Sequence, residues 1–250
     1  ARSNQKVVYD LLFKSSAAAL QKLAKDPRFV GGDIGMMGGL HTWQRDMGYH
    51  PHVHFIVPGG GLSPERSQWL PSKADFFVPV EALSPIFRAK FRDALKQTDL
   101  FDAVAAEVWQ KDWVVHCKPV GNGNSALKYL APYIYRVAIT NNRIEKLENG
   151  QVSFRFKNSD TDHWQTATVP VFDFIRRFLQ HVLPKGFVKI RYYGFLSPNK
   201  RNRLAVAKYL LGDSRGSEVT PTVGKQDICP DCGAKLRWVK SLPKSTRAPP

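Results

Sequence analysis

The sequence predicts an α+β fold, a central and mainly antiparallel sheet flanked by helices. Three observations carry that expectation. Stretches with the two-residue alternation of strands and stretches with the 3.6-residue spacing of helices both recur along the 250 residues. Hairpin turns are frequent, and the clearest is Asn149-Gly150 between segments at 144–147 and 152–156. The chain is 43% hydrophobic and 12% aromatic, enough to bury a core, and it shows no internal repeat.

The elements follow in order. Residues 7–25 carry Leu11, Leu12, Ala18, Ala19 and Leu20 along one helical side, and Asp26-Pro27 ends the run. Residues 30–40 are glycine-rich and lead into a strand, Leu40-His41-Thr42-Trp43. A polar turn at 44–49 returns the chain as a second strand at 50–57, making a hairpin. Gly59-Gly60-Gly61 reads either as a plain turn or as a loop that lets backbone pass close to a ligand. Strands are expected at 76–80 and 113–118. Between them Ser84-Pro85, as N-cap and first helical residue, opens a helix running to about residue 96. Gly121-Asn122-Gly123-Asn124 reads as a loop with Ser125 capping the next helix. A helix at 172–183, a strand at 187–193 and a helix at 204–211 complete the pattern. This divides the chain into a helical lead-in at 1–29, a main domain at 30–211 and a polar, loop-rich tail at 212–250.

Lys and Arg number 37 against 21 Asp and Glu, a net charge of +16 spread along the chain. A polyanionic partner is expected, and nucleic acid is favoured over membrane because no segment reads as a spanning helix. Three cysteines exclude a disulfide scaffold, and with no signal peptide a reducing cytoplasm fits. The first residue is Ala1 rather than Met, so we expect the sequence to begin inside a longer protein.

The densest chemistry is His50-Pro51-His52-Val53-His54. On a strand, His52 and His54 project from one face, and two adjacent neutral imidazoles can clamp a divalent metal. One histidine there would read as structural; three in five residues argue for a site. His41, on the neighbouring hairpin strand, is the first candidate for a third ligand, and a supporting structural role stays open for it. His50 shares the face, but three histidines along one extended strand are spaced too widely to share an ion readily.

A second constellation is Ser125 to Tyr135, S-A-L-K-Y-L-A-P-Y-I-Y. Tyr129 and Tyr133 are four residues apart and share a helical face, with Pro132 kinking or breaking the helix between them. Lys128, Arg136 and Arg143 surround them with positive charge. An aromatic stripe packed on a sheet would explain an isolated pair of tyrosines, but not the basic flanks.

His-hydrophobic-His on a strand followed by a helix with two tyrosines resembles the HUH endonucleases. Leu40-His41-Thr42-Trp43, Val57-Pro58-Gly59-Gly60-Gly61-Leu62, Tyr129-Leu130-Ala131-Pro132-Tyr133, Asn141-Asn142-Arg143-Ile144 and Phe174-Ile175-Arg176-Arg177-Phe178 extend the likeness, as do His181-Val182-Leu183-Pro184-Lys185-Gly186-Phe187 and Arg191-Tyr192-Tyr193-Gly194. Over roughly residues 30–211 the chain is similar to rolling-circle insertion-sequence transposases of the two-tyrosine class. The resemblance implies an RRM/ferredoxin-like palm and Mg²⁺ or Mn²⁺ on the histidines. It also implies Tyr129 and Tyr133 as nucleophiles that form a 5′-phosphotyrosine on single-stranded DNA at transposon ends and target, in the bacterial cytoplasm at the nucleoid. A tyrosine hydroxyl, with a reference pKa of about 10, is a weak nucleophile at neutral pH, so a metal beside the phosphate is chemically apt.

Arg176, Arg177 and Arg191, with the nearby tyrosines, are candidate contacts to a single strand, or equally a solvated basic face. Cys229 and Cys232 resemble half of a small zinc-knuckle-like tail whose other Zn²⁺ ligands lie outside this sequence, or a reduced turn. A histidine-triad nucleotide hydrolase would explain the histidine strand but not the tyrosines or the charge. A plasmid relaxase or replication initiator would share the HUH chemistry, and a non-catalytic DNA-binding module would explain the charge alone.

Overall fold

The computed structural model of the chain describes residues 2–126, 128, 138–158 and 161–212. Residues Ala1–Gly212 form one compact unit. The expected tail, with Cys229 and Cys232, lies outside the described residues.

Helix α1 (Gln5–Ala24) sets the first packing layer. Tyr9, Phe13, Ala17, Leu20 and Ala24 recur at spacings of three and four and are all buried. Small residues (Ala17, Ala19, Ala24) let it lie close against α2 (Val80–Leu95), whose Leu83, Ile86 and Phe87 fill the shared core. Its other contact is with a three-stranded antiparallel sheet, ordered β2-β1-β8, made of β2 (Tyr49–Ile56), β1 (Met36–Trp43) and β8 (Ile190–Tyr193). Tyr9, Phe13 and Leu40 cluster there with Val53, Phe55 and Phe187. Fully burying a side chain such as Phe13 stabilises the fold by roughly 2–3 kcal/mol. The Tyr9 hydroxyl is buried with its ring but meets the Tyr49 hydroxyl at 2.8 Å, so it keeps a partner.

Two further antiparallel sheets complete the unit, β3 (Gly60–Leu62) with β4 (Trp69–Pro71), and β5 (Ile144–Glu148), β6 (Gln151–Lys157) and β7 (Trp164–Pro170). Helix α3 (Val171–Leu179) follows β7 and packs Phe174 on Phe154. The turn between β1 and β2 docks on this sheet through Met47, which is buried with Ile139 and Phe154. Helix α4 (Arg201–Leu210) closes the unit beside Phe195. Gly194 turns the chain out of β8 at φ +59°, and a Cβ there would collide with the Ile34 carbonyl oxygen, so only glycine fits.

The fold class expected from the sequence holds, with several local corrections. Residues 76–80 are not a strand: Phe76 makes a single bridge to Lys73, and the helix already begins at Val80, with Pro79 at its N-cap. Ser84 is therefore inside the helix, not its cap, and Pro85 costs one helical hydrogen bond. Ser84 Oγ instead donates to the Trp113 carbonyl at 2.6 Å and accepts from the Trp113 amide at 3.1 Å. Those bonds, and packing of the Trp113 ring on Phe87 and Phe91, hold Trp113 on α2, and residues 113–118 carry no strand pairing. The cap of the helical turn at 123–126 is Asn122, whose side-chain oxygen accepts from the Ser125 amide at 3.0 Å. The helix expected to reach 183 ends at Leu179, and the strand expected from 187 begins at Ile190. The short β3–β4 pair and β7 were not expected; β7 hides in a polar alternation, Gln165-Thr166-Ala167-Thr168-Val169, that buries little.

Candidate metal centre

The β1–β2 hairpin builds the site. Its register sets His41 opposite His52 and Gly39 opposite His54. Cross-strand partners share a face, and so do residues two apart, so all three imidazoles project together. One nitrogen from each of His41, His52 and His54 lies within 4.8 Å of the others, close enough to serve one ion. Between His41 and Trp43 the register shifts: two steps along β1 face three along β2, a β-bulge that takes in Pro51. Along β2 this bulge lies between Tyr49 and His52, which makes room for a proline on an edge strand.

His50 lies outside the ligand group but acts on it. Its carbonyl accepts a hydrogen bond from His52 Nδ1 at 2.7 Å. A carbonyl can only accept, so the proton sits on Nδ1 and a neutral His52 presents the Nε2 lone pair to a metal. Burial pushes the His52 pKa below the ordinary imidazole value, against the raising effect of the His50 carbonyl. Burial, with a smaller contribution from His52, brings His54 down to about 4. Both rings are neutral at pH 7, the state a ligand needs. His41 is 4% exposed and stacks on Trp43, with ring centroids 5.0 Å apart, which fixes its plane. Three imidazole nitrogens held together on paired strands fit a divalent transition-type cation that keeps open positions for oxygen ligands.

The expected tyrosines, Tyr129 and Tyr133, lie outside the described residues, as does Arg136. Lys128 is exposed. Arg143 donates to the backbone carbonyls of Arg155 and Arg45, tying β6 to the β1–β2 turn. Arg176 and Arg177 both bond Asp173 within α3. Arg191 pairs with Asp10 and lies over the rings of Phe13 (4.5 Å) and Phe187 (4.9 Å), under α1 and on the sheet face away from the histidines. The sequence reading also passed over Trp43. It has the same strand parity as His41, which was the available signal.

The family model described as "Putative transposase" (Y2_Tnp) matches residues 35–203, which include the whole histidine hairpin. The chain belongs to this transposase family. It is 42% identical over 235 residues to "Putative transposase y4qJ" of Sinorhizobium fredii, covering 86% of this chain and 59% of the relative. It is 29% identical over 203 residues to the transposase for insertion sequence element IS801 of Pseudomonas savastanoi pv. phaseolicola, covering 75% of this chain and 48% of the relative. The chain thus spans about half the length of these curated relatives. No solved structure matches it. No helix among the described residues is long and apolar enough to cross a membrane.

Proposed function

We propose that this chain carries the DNA nicking and joining centre of a rolling-circle transposase, acting on single-stranded transposon ends and target in the bacterial cytoplasm, at the nucleoid. The observation that carries the reading is the convergence of His41, His52 and His54 on one sheet face in a member of a transposase family. A divalent cation on these imidazoles, Mg²⁺ or Mn²⁺, would supply Lewis-acid charge at a phosphoryl oxygen.

The chain's own groups do the rest. His50 fixes the tautomer of His52, and Trp43 fixes the plane of His41. Tyr129 or Tyr133 loses its phenolic proton and bonds to phosphorus. The bond from phosphorus to the 3′-oxygen breaks, and that oxygen takes a proton. The products are a 5′-phosphotyrosine and a 3′-hydroxyl, and rejoining by the reverse step needs no nucleotide cofactor because the phosphodiester energy is kept. Two tyrosines allow two cleavages, with Tyr129 favoured for the first. The net charge of +16 supports a polyanionic substrate held largely by phosphate contacts.

The test is a single-stranded end oligonucleotide incubated with the protein and Mn²⁺, then run on a denaturing gel. A protein–DNA adduct is expected from wild type, a reduced yield from Tyr129→Phe and Tyr133→Phe, and none from the double variant. An adduct in the double variant would overturn the tyrosine assignment. Nucleotide hydrolysis through a histidine adduct, without metal, would replace the reading with that of a histidine-triad hydrolase.

A further inference from the structure

Arg66, Lys200, Arg201 and Arg203 line one pocket of about 430 Å³, together with Asn199 and Asn202. None of its lining residues belongs to the β1–β2 hairpin that carries the histidines. Core packing holds its walls. Leu62 of β3, Phe195, and Ala207 of α4 form one buried cluster, with Trp69 of β4 and Leu204 of α4 against it, so α4 is seated on the β3–β4 pair. Arg66 stands in the turn joining those strands. Its amide donates to the Ser63 carbonyl at 2.8 Å, and Ser63 Oγ accepts from the amides of Ser67 and Gln68 at 3.2 and 3.3 Å. Lys200 immediately precedes α4, and Arg201 and Arg203 lie in its first turn.

We infer that this pocket binds backbone phosphates of the DNA, as a second contact separate from the histidine group. The inference rests on DNA being the substrate, as proposed above. Arg66, Lys200 and Arg201 are exposed, and among the described residues their side chains make no ion pair or hydrogen bond. Arg203 reaches Asp33 at 3.5 Å, but that carboxylate also meets Lys25 at 3.5 Å. Glu65, next to Arg66 in sequence, does not line the pocket. These four cations therefore share part of one carboxylate, whereas Arg28, Arg155 and Arg191 each face an acid, Asp26, Glu145 and Asp10. Crowded like charges repel, and a polyanion entering the pocket relieves that repulsion. Charges that served solubility alone would be better dispersed. Arg66 also holds φ at +60°, the left-handed region where glycine is less strained, so the position keeps a side chain at a conformational cost. Among the described residues no aromatic ring lines the pocket to stack a base. Guanidinium groups, an ammonium and side-chain amides suit phosphate oxygens, which position a strand without reading its sequence. That favours a nucleic-acid backbone over a free nucleotide.

The experiment compares the wild-type chain with the triple variant Arg66→Gln/Lys200→Gln/Arg201→Gln. Arg203 is kept because it ties α4 to Asp33. A control, Lys6→Gln/Lys14→Gln/Lys22→Gln, removes the same charge from exposed positions on α1. The readouts are random-sequence single-stranded oligonucleotide binding without metal over a range of salt, calorimetry with Mn²⁺ and with inorganic phosphate, and thermal melting. In the pocket variant the log–log salt slope should fall by about 2, at about 0.7 for each phosphate contact on a single strand. The control should keep the wild-type slope, and Mn²⁺ affinity and melting should stay unchanged in both. Should the triple variant melt early, Lys200→Gln alone decides, with an expected fall of about 0.7. An unchanged slope would overturn the inference, and so would an equal fall in the control, which would mark an effect of bulk charge. Inorganic phosphate bound by wild type and lost by the pocket variant, with the oligonucleotide slope unchanged, would assign the pocket to a free anion instead. The salt slope is read without cleavage, so a wild-type protein that binds DNA but forms no adduct would overturn the proposed function separately.

Discussion

His41 and His52 are direct register partners across β1 and β2, with ring centroids 5.4 Å apart. The hairpin therefore does what one strand cannot: it puts two imidazoles side by side, while His54, two residues on, supplies the third on the same face. The ligand set is built from main-chain pairing, so it is preorganised without help from a loop.

Replacing any one of His41, His52 and His54 by Ala removes one of three nitrogens. Mn²⁺ affinity should fall at least on the order of a hundredfold, more than the 10- to 100-fold typical of losing a group that only supports a ligand. Cleavage should be lost, whereas oligonucleotide affinity should stay within a few fold because phosphate contacts elsewhere dominate it. Calorimetry and a filter-binding assay check the two halves. Cleavage that survives in chelator would remove the metal from the reaction.

The donor set also predicts an order among metals. Imidazole nitrogen suits later first-row ions, whereas Mg²⁺ favours oxygen and holds its waters. Affinity should rise from Mg²⁺ to Mn²⁺ to Co²⁺ in competition titrations at fixed pH. Equal binding of Mg²⁺ and Mn²⁺ would mean that oxygen ligands outside the three histidines dominate the site.

His181 gives a pH dependence that is independent of the ligands. Its Nε2 donates to the Met47 carbonyl at 3.1 Å, and its Nδ1 accepts from the Thr42 hydroxyl at 3.2 Å, the arrangement of a neutral ring. Burial holds its pKa below the ordinary value of about 6.5. A depressed histidine means that the unfolded chain takes up a proton first, so the contribution is fully present above about pH 6.5 and is lost as pH falls below it toward the folded pKa. His52 and His54 add to the loss in the same direction. The melting temperature should drop between pH 7.5 and 5, and His181→Gln should melt lower at pH 7.5 while losing less on acidification. A wild-type melting curve flat over that range would contradict the assignment.

How much of this was open to sequence reading differs by feature, for a physical reason. The histidine hairpin was legible because strand alternation and a short turn are local, and they dictate which side chains meet. The start of α2 was misread because Ser84-Pro85 carries the local signature of a helix opening, while tertiary contact with Trp113 uses that serine inside the helix. The basic residues were visible as charge, but their partners were not. Asp10 and Asp173 decide where Arg191, Arg176 and Arg177 point, and only Asp173 is a sequence neighbour.

Gly38 and Gly39 make the last prediction, since adjacent glycines on β1 face opposite ways. A Cβ on Gly38 would lie 2.6 Å from a Phe55 ring atom and 3.2 Å from Phe13, inside the α1 packing. Gly38→Ala should therefore destabilise by about 1–3 kcal/mol through overpacking. Gly39 is on the histidine face opposite His54, and among the described residues nothing lies within 4 Å of a Cβ placed there. Gly39→Ala should leave stability unchanged or raise it by about 0.4–1 kcal/mol, because the unfolded chain loses freedom. A larger side chain at 39 would stand where a phosphate must approach His54. Gly39→Val should thus keep the fold and bind Mn²⁺ normally while cleaving single-stranded DNA poorly. Denaturant melts, metal titration and the adduct gel separate these effects, and full cleavage by Gly39→Val would mean that the DNA reaches the histidines from another side.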